Sequence, residues 1–151
     1  MSTVTTEIRD TLDGLIETDI DAEKGFIAAS RAVNDAELKA DLMEMSRKSA
    51  SAAGELQRQM ADLGEEPRRD GSVYGWVHRG WMEAKQSLLG HKAAVVLADC
   101  ERGLEKTVEV YRNAREEALP ENLRAMIQTQ CDEMLQMLDR IRALRQMHQA
   151  S

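Results

Sequence analysis

The stretch from Gly71 to Gly90, GSVYGWVHRGWMEAKQSLLG, most constrains how this chain can fold. It holds both tryptophans and separates two arms of charged, aromatic-poor sequence with helical periodicity. As one helix of about 18 residues it would span about 27 Å. Two antiparallel helices need only a short turn between them, so a connection of this length favours a crossover from one end of a bundle to the other. We therefore predict a crossover helix over about residues 72–89, with parallel helices before and after it.

Each arm contains two segments in which apolar residues recur at helical spacing. The predicted helices cover about residues 5–33, 35–63, 91–118 and 120–148. Asn34, with Glu37 three residues later, is predicted to cap the second helix, and Gly64 to end it. Pro120 suits the first position of the fourth helix. The short hinges make each pair an antiparallel hairpin, so the chain is expected to form a single domain over residues 1–151.

The composition supports this all-α prediction and narrows the class of protein. The chain has 151 residues, of which 42% are hydrophobic and only 3% aromatic, as expected for one helical domain. Its net charge of −7 and the lack of a dense Lys/Arg block argue against a nucleic-acid partner. Neither a membrane span nor a secretory signal is apparent. Cys100 and Cys131 read as small buried hydrophobes, and we expect a cytoplasmic protein.

Three stretches carry a resemblance to a known family. They are LIETDIDAEKGF in the first predicted helix, GSVYGWVHRGW at the start of the crossover, and QCDEMLQMLDRIRAL in the last helix. With the order and lengths of the helices, they resemble a bacterial family catalogued as domain of unknown function 2383, a family of ferritin-like four-helix bundles. The resemblance spans nearly the whole chain and implies a ferritin-like fold in a bacterial cytosol. It brings no established activity.

Ferritin-like folds invite a search for carboxylates inside the apolar helix faces. Asp19 and Glu23 fall within about 20° of the centre of the first helix's apolar stripe, and Glu101 lies about 40° from Leu97 on the third. Counting residues from the hinges places Asp19 opposite Ser49, and Glu23 level with Glu101. These three carboxylates are the candidate metal ligands. If Glu23 and Glu101 are close and dry, they should share a proton.

A di-iron bundle of this kind needs a Glu from each of two helices and a Glu-x-x-His from each of the others. No Glu-x-x-His occurs in this sequence. The resemblance implies a His before the Asp-Arg-Ile of the last helix and a second Glu early in the third, where this chain has Leu138 and Leu104. We expect no cofactor, and interior carboxylates satisfied by polar neighbours or water. The alternative is a degenerate di-metal protein that binds iron or manganese or acts as an oxidase.

The side of the first helix away from the core carries small residues. Gly14, Thr18 and Gly25 lie there, with Glu17 and Asp21 expected in solvent beside them. A glycine inside a helix costs about 1 kcal/mol relative to alanine, so this pattern suggests close approach by another surface.

Two surfaces are candidates for covering that side. On the predicted crossover, His78, Met82 and Leu89 point outward and would complete a self-complementary patch for a two-fold homodimer, or for another protein partner. Alternatively, the tryptophans of the crossover fill the groove from within the same chain. We expect a non-enzymatic protein that acts through self-association or a protein partner.

Overall fold

The computed structural model describes residues 5–72 and 93–149, which form a bundle of four α-helices. These are α1 (Thr6–Ala32), α2 (Ala36–Asp62), α3 (Ala93–Arg115) and α4 (Glu121–Met147). No β-strand occurs within these two ranges, so the predicted all-α four-helix bundle is confirmed. Apart from Ser72, the predicted crossover helix over 72–89 lies outside the described residues.

Side-chain caps set where the first two helices begin. Thr5 accepts the Ile8 N–H at 3.1 Å and starts α1, and Asp35 accepts the Leu38 N–H at 2.9 Å and starts α2. The prediction that Asn34 caps α2 is therefore wrong by one residue, because the carboxylate of Asp35 is the acceptor three residues before the free N–H.

The ends of α2 and α3 are set by backbone conformation and by an arginine. Gly64 follows α2 with a φ of 81°, which confirms it as the left-handed residue that ends the helix. α3 ends at Arg115, three residues before its predicted end, where Arg124 donates to the carbonyls of Arg115 at 2.7 Å and Glu117 at 2.9 Å. Pro120 occupies the cap position of α4 rather than its predicted first helical position.

Hydrogen bonds between helices establish that α4 runs antiparallel to α2. Gln130 donates to the carbonyl of Ala52, and Arg140 donates to Asp41 at 3.0 Å. Because the residue numbers rise along α4 while those of its partners fall along α2, the two helices point in opposite directions.

The same reasoning applies to α3 and α4. Tyr111 meets Gln130, and Arg142 donates to Glu105 at 2.8 Å, so these helices are also antiparallel. Both α2 and α3 thus oppose α4, and they must be parallel to each other, as predicted. The end of α2 and the start of α3 consequently lie at opposite ends of the bundle.

The core between the helices is almost entirely aliphatic. Leucines and isoleucines dominate it, and Met45, Met60, Met134 and Met137 are buried among them, in keeping with a gap-filling role. Both cysteines are free and buried, as expected. Among the described helices, none combines the length and apolar character that crossing a membrane requires.

The chain segment after α2, residues 65–72, lies along the outer side of α1. Successive residues of the segment contact successive positions of α1. Glu65 pairs with Arg9 at 3.1 Å, Arg68 pairs with Glu17 at 2.6 Å, and Ser72 bonds to Asp21. The expectation that Glu17 and Asp21 are solvated is therefore wrong. Helical periodicity identifies the side that faces away from the core, but the chain's own connecting segment covers part of that side.

Gly71 is the point of closest approach in this segment. A Cβ at this position would lie 2.4 Å from Asp21 Oδ1 and 3.1 Å from Ile20 Cγ2. Asp21 cannot easily move away, because its two oxygens accept the Ser72 N–H at 2.9 Å and the Ser72 hydroxyl at 2.7 Å. Glycine at position 71 therefore allows the segment to lie against α1.

Candidate functional site

A buried polar network at mid-bundle is the most distinctive chemical feature of the described chain. Asp19 lies in the apolar stripe of α1 with no solvent exposure, as its position in the sequence predicted. Gln130 on α4 is also buried, with 1% of its surface exposed. Buried polar groups of this kind are stable only when they bond to one another or to water.

Tyr111 on α3 joins these two residues. Its hydroxyl lies 2.6 Å from Asp19 Oδ2 and 3.0 Å from Gln130 Oε1. Gln130 in turn donates through Nε2 to the carbonyl of Ala52 at 3.3 Å and to Glu55 Oε1 at 3.0 Å, both on α2. The network thus contains a residue from each of the four helices. Asp19 Oδ1 is buried and has no hydrogen-bond partner among the described residues.

Burial dominates the electrostatics of this network. It raises the pKa of Asp19 well above its ordinary value, and the hydrogen bond with Tyr111 lowers that pKa by a smaller amount. Burial also raises the pKa of Tyr111 well above its ordinary value, and the neighbouring charge of Asp19 adds to the increase. Both groups therefore favour their neutral forms.

Ser49, the predicted neighbour of Asp19, does not bond to it. Ser49 is fully buried, but its hydroxyl donates to the carbonyl of Met45 one turn earlier, at 3.0 Å. Helical spacing places Tyr111 in the apolar core of α3 and does not indicate a polar role for its hydroxyl. The available signal was chemical, since a buried tyrosine usually finds a partner for its hydroxyl.

Glu23 and Glu101 do not form the predicted proton-sharing pair. Glu23 is half-buried, while Glu101 accepts hydrogen bonds from Arg142 at 3.1 Å and from Arg145 at 2.5 Å, both on α4. Burial alone would raise the pKa of Glu101, but the hydrogen bonds from these arginines outweigh it and hold the pKa below its usual value. Glu101 is thus an ionised partner of arginines. Counting residues along the helices does not predict these contacts, because they depend on the side chains of the neighbouring helix.

The residues that the structure describes do not fit a carboxylate-bridged metal centre. Within residues 5–72 and 93–149, no three His, Cys, Asp or Glu side chains come close enough together to hold a metal ion. The mid-bundle network contributes one interior carboxylate, Asp19, whose Oδ2 is bonded to Tyr111. Glu101 faces arginines, whose positive charge would repel a cation.

The predicted interface residues have different environments. Gly14 and Thr18 are half-buried, and the Thr18 hydroxyl donates to the Gly14 carbonyl at 2.8 Å. A Cβ added at Gly14 would meet no atom of the described residues within 4 Å, whereas Gly25 is buried. The other predicted interface residues, His78, Met82 and Leu89, lie outside the described residues.

Comparison with known proteins identifies a family without assigning a function. No curated protein matches the chain. A family model described as "Domain of unknown function (DUF2383)" matches residues 7–117, a range that includes α2, α3 and nearly all of α1. Because this match covers well over half of the 151 residues, the chain belongs to the DUF2383 family.

Proposed function

We propose that this chain is a non-enzymatic, ferritin-like bundle protein of the bacterial cytoplasm that acts by binding protein, first of all a second copy of itself. The parallel arrangement of α2 and α3 supports the ferritin-like connectivity, in which one long connection joins two hairpins. The function itself is argued from the surface of the bundle.

The observation that carries this proposal is the open space around Gly14. A glycine in mid-helix costs about 1 kcal/mol relative to alanine. No atom of the described residues would lie within 4 Å of an added Cβ at Gly14, so packing among residues 5–72 and 93–149 gives no reason for the small residue. Close approach by a second molecule would give one. A two-fold axis beside α1 would bring Gly14 and Thr18 of one copy against the same residues of the other.

The polar groups of the interior support the same proposal. Asp19, Tyr111 and Gln130 bond to one another and to α2, which leaves no convergent set of free groups at mid-bundle among the described residues. Catalytic sites usually combine such groups with an open pocket. The described core around Asp19 consists mainly of aliphatic side chains.

Sedimentation of the whole chain tests self-association. We expect a dimer at high micromolar concentration, with an interface on the order of 1,200 Å² or more. Gly14→Arg should give a folded monomer, because no described atom would lie within 4 Å of a Cβ at this position. Gly54→Arg is the matched control, since Gly54 is a helical glycine on α2 with equally open surroundings. Met82→Glu combined with Leu89→Glu should also give monomers.

Two results would contradict the proposal. A wild-type chain that sediments as a monomer at high micromolar concentration removes self-association. Stoichiometric binding of iron or manganese by the purified protein, lost in Glu23→Ala, would instead favour the degenerate di-metal alternative.

A further inference from the structure

The orientation of the Gln130 amide is fixed by its neighbours. Its outer contacts, at 3.3 Å to the Ala52 carbonyl and 3.0 Å to the Glu55 carboxylate, are both with acceptors. Only the NH₂ group can donate to them, so Nε2 must point outward and Oε1 must point toward Tyr111. If the amide were rotated by 180°, Oε1 would face the oxygens of Ala52 and Glu55 with no hydrogen between them.

This orientation determines where the Tyr111 hydrogen goes. Gln130 Oε1 carries no hydrogen, so its 3.0 Å contact is a hydrogen bond only if Tyr111 donates. A phenol has one hydrogen to give. The 2.6 Å contact between Tyr111 and Asp19 Oδ2 then needs a hydrogen from Asp19. If Asp19 were ionised, Tyr111 would donate its one hydrogen bond to Asp19. The oxygens of Tyr111 and Gln130 would then face each other with no hydrogen between them.

We infer that Asp19 is a proton-binding site in the bundle core: the folded chain keeps it as a neutral carboxylic acid that donates to Tyr111, which donates to Gln130, which donates to Glu55. This one-way chain connects α1, α3, α4 and α2. It makes the packing of the four helices depend on one proton.

The groups around Asp19 provide no charge that would keep it ionised. The titratable acids near the network are Tyr111 on α3, Cys131 and Glu133 on α4, and Glu55 on α2, while Lys48 of α2 lines the surface cleft beside Gln130, Glu55 and Glu133. No described cation forms an ion pair with Asp19. The full burial of the carboxyl also opposes ionisation.

Arginines near the network act on other groups. Arg112 and Arg115 of α3 lower the pKa of Cys131, against the larger effect of its burial, which raises that pKa. On Asp19, burial raises the pKa and outweighs the hydrogen bond with Tyr111, which lowers it. The neutral acid therefore agrees with the surroundings as well as with the hydrogen count.

A retained proton has a definite consequence for stability. Between the ordinary pKa of Asp, about 3.9, and the higher folded pKa, the unfolded chain releases a proton that the folded chain keeps. Stability from this site is fully present below the unfolded pKa and is lost as the pH rises through the folded pKa. Over that interval, the site raises the unfolding equilibrium constant by about tenfold per pH unit.

Carbon-13 NMR of the aspartate carboxyl groups in the wild-type chain tests the proton directly. We expect the Asp19 carboxyl resonance to keep its neutral-acid position at pH values well above the ordinary pKa of Asp, about 3.9. An Asp19 resonance that titrates at that ordinary pKa would overturn the inference. This measurement needs no variant.

Denaturant unfolding across pH tests the consequence. Asp19→Asn replaces the neutral acid by an amide whose NH₂ group can donate to Tyr111, so the pH dependence from this site should disappear, a difference of about tenfold per pH unit from wild type. Asp10→Asn, at an exposed aspartate of the same helix, is the matched control and should keep the wild-type dependence. An Asp19→Asn chain that folds and keeps the wild-type dependence would contradict the inference. If it does not fold, the wild-type NMR titration decides.

Discussion

Asp19 occupies a position in α1 where helical periodicity alone would place a leucine. Its 0% exposure means that both carboxyl oxygens depend on the protein for partners, and Tyr111 supplies one. A single hydroxyl on α3 thus satisfies groups from two other helices. Such networks have large effects when broken, because a buried acceptor without a donor costs more than a hydrogen bond contributes.

Removing that hydroxyl provides the first prediction. Tyr111→Phe leaves Asp19 Oδ2 and Gln130 Oε1 without a partner, and we expect a loss of about 2 to 4 kcal/mol in the free energy of unfolding. Asp19→Leu in the same chain removes one of the two polar groups that lost their partner. The double variant should therefore lose less than the sum of the two single losses. Denaturant unfolding of the wild type, Tyr111→Phe, Asp19→Leu and the double variant measures the coupling between the two residues. Additive losses would indicate that they act independently.

At the scale of whole elements, each helix depends on a few residues at its ends. α2 begins because the Asp35 side chain accepts the Leu38 N–H at 2.9 Å. Asn34 has the right chemistry but stands one position too early. The backbone at Asp35 is extended, with φ −70° and ψ 123°, which places its carboxylate over the open end of the helix.

This difference between neighbouring residues is directly measurable. Asp35→Ala should lower the free energy of unfolding by about 1 kcal/mol, the usual loss of a side-chain cap. Asn34→Ala, the matched control, should change it by less than about 0.5 kcal/mol, as is usual away from such features. Equal losses in the two variants would show that Asn34 shares the capping role.

The segment over residues 65–72 provides a prediction about a connection rather than a helix. In Gly71→Ala the new Cβ would meet Asp21 Oδ1, so Asp21 must release its bonds to Ser72. We expect faster amide hydrogen exchange at Ser72 and a loss of about 1 to 3 kcal/mol from overpacking.

Gly54 provides the matched control for this substitution. Its surroundings are open, so Gly54→Ala should stabilise α2 by up to about 1 kcal/mol. A Gly71→Ala chain with unchanged stability and unchanged exchange at Ser72 would mean that the segment adjusts without releasing Asp21. Circular dichroism and amide exchange on both variants make the comparison.

At the scale of the whole molecule, ion pairs between helices add to the aliphatic core. Arg140 on α4 meets Asp41 on α2, while Arg142 and Arg145 on α4 meet Glu101 on α3. These arginines are about half exposed, so solvent screens each pair and its contribution to stability is small. The pairs of Glu101 nevertheless make the stability of the bundle fall at low pH.

This loss of stability at low pH follows from the direction of the Glu101 pKa shift. Burial would raise its pKa, but hydrogen bonds from Arg145 and Arg142 lower it below the ordinary value. Glu101 therefore contributes stability above its unfolded pKa, about 4.3, and loses that contribution as the pH falls through the lower folded pKa. Glu101→Gln should weaken this acid-side loss and leave the behaviour above pH 5 unchanged. The free energy of unfolding measured from about pH 2.5 to 6 tests this prediction. An unchanged loss of stability at low pH in Glu101→Gln would contradict it.

The sequence by itself determined the class of fold, the positions of four helices and the interior place of Asp19, because helical periodicity and end signals are properties of nearby residues. Only the tertiary structure decided what those residues meet. Tyr111 reaches Asp19 from 92 positions along the chain, Arg145 reaches Glu101 from another helix, and residues 65–72 cover a side of α1 that periodicity assigned to solvent. A helical pattern defines which way a side chain points. Its partner depends on the rotation, height and direction of a neighbouring helix, and these are set by packing across the whole bundle.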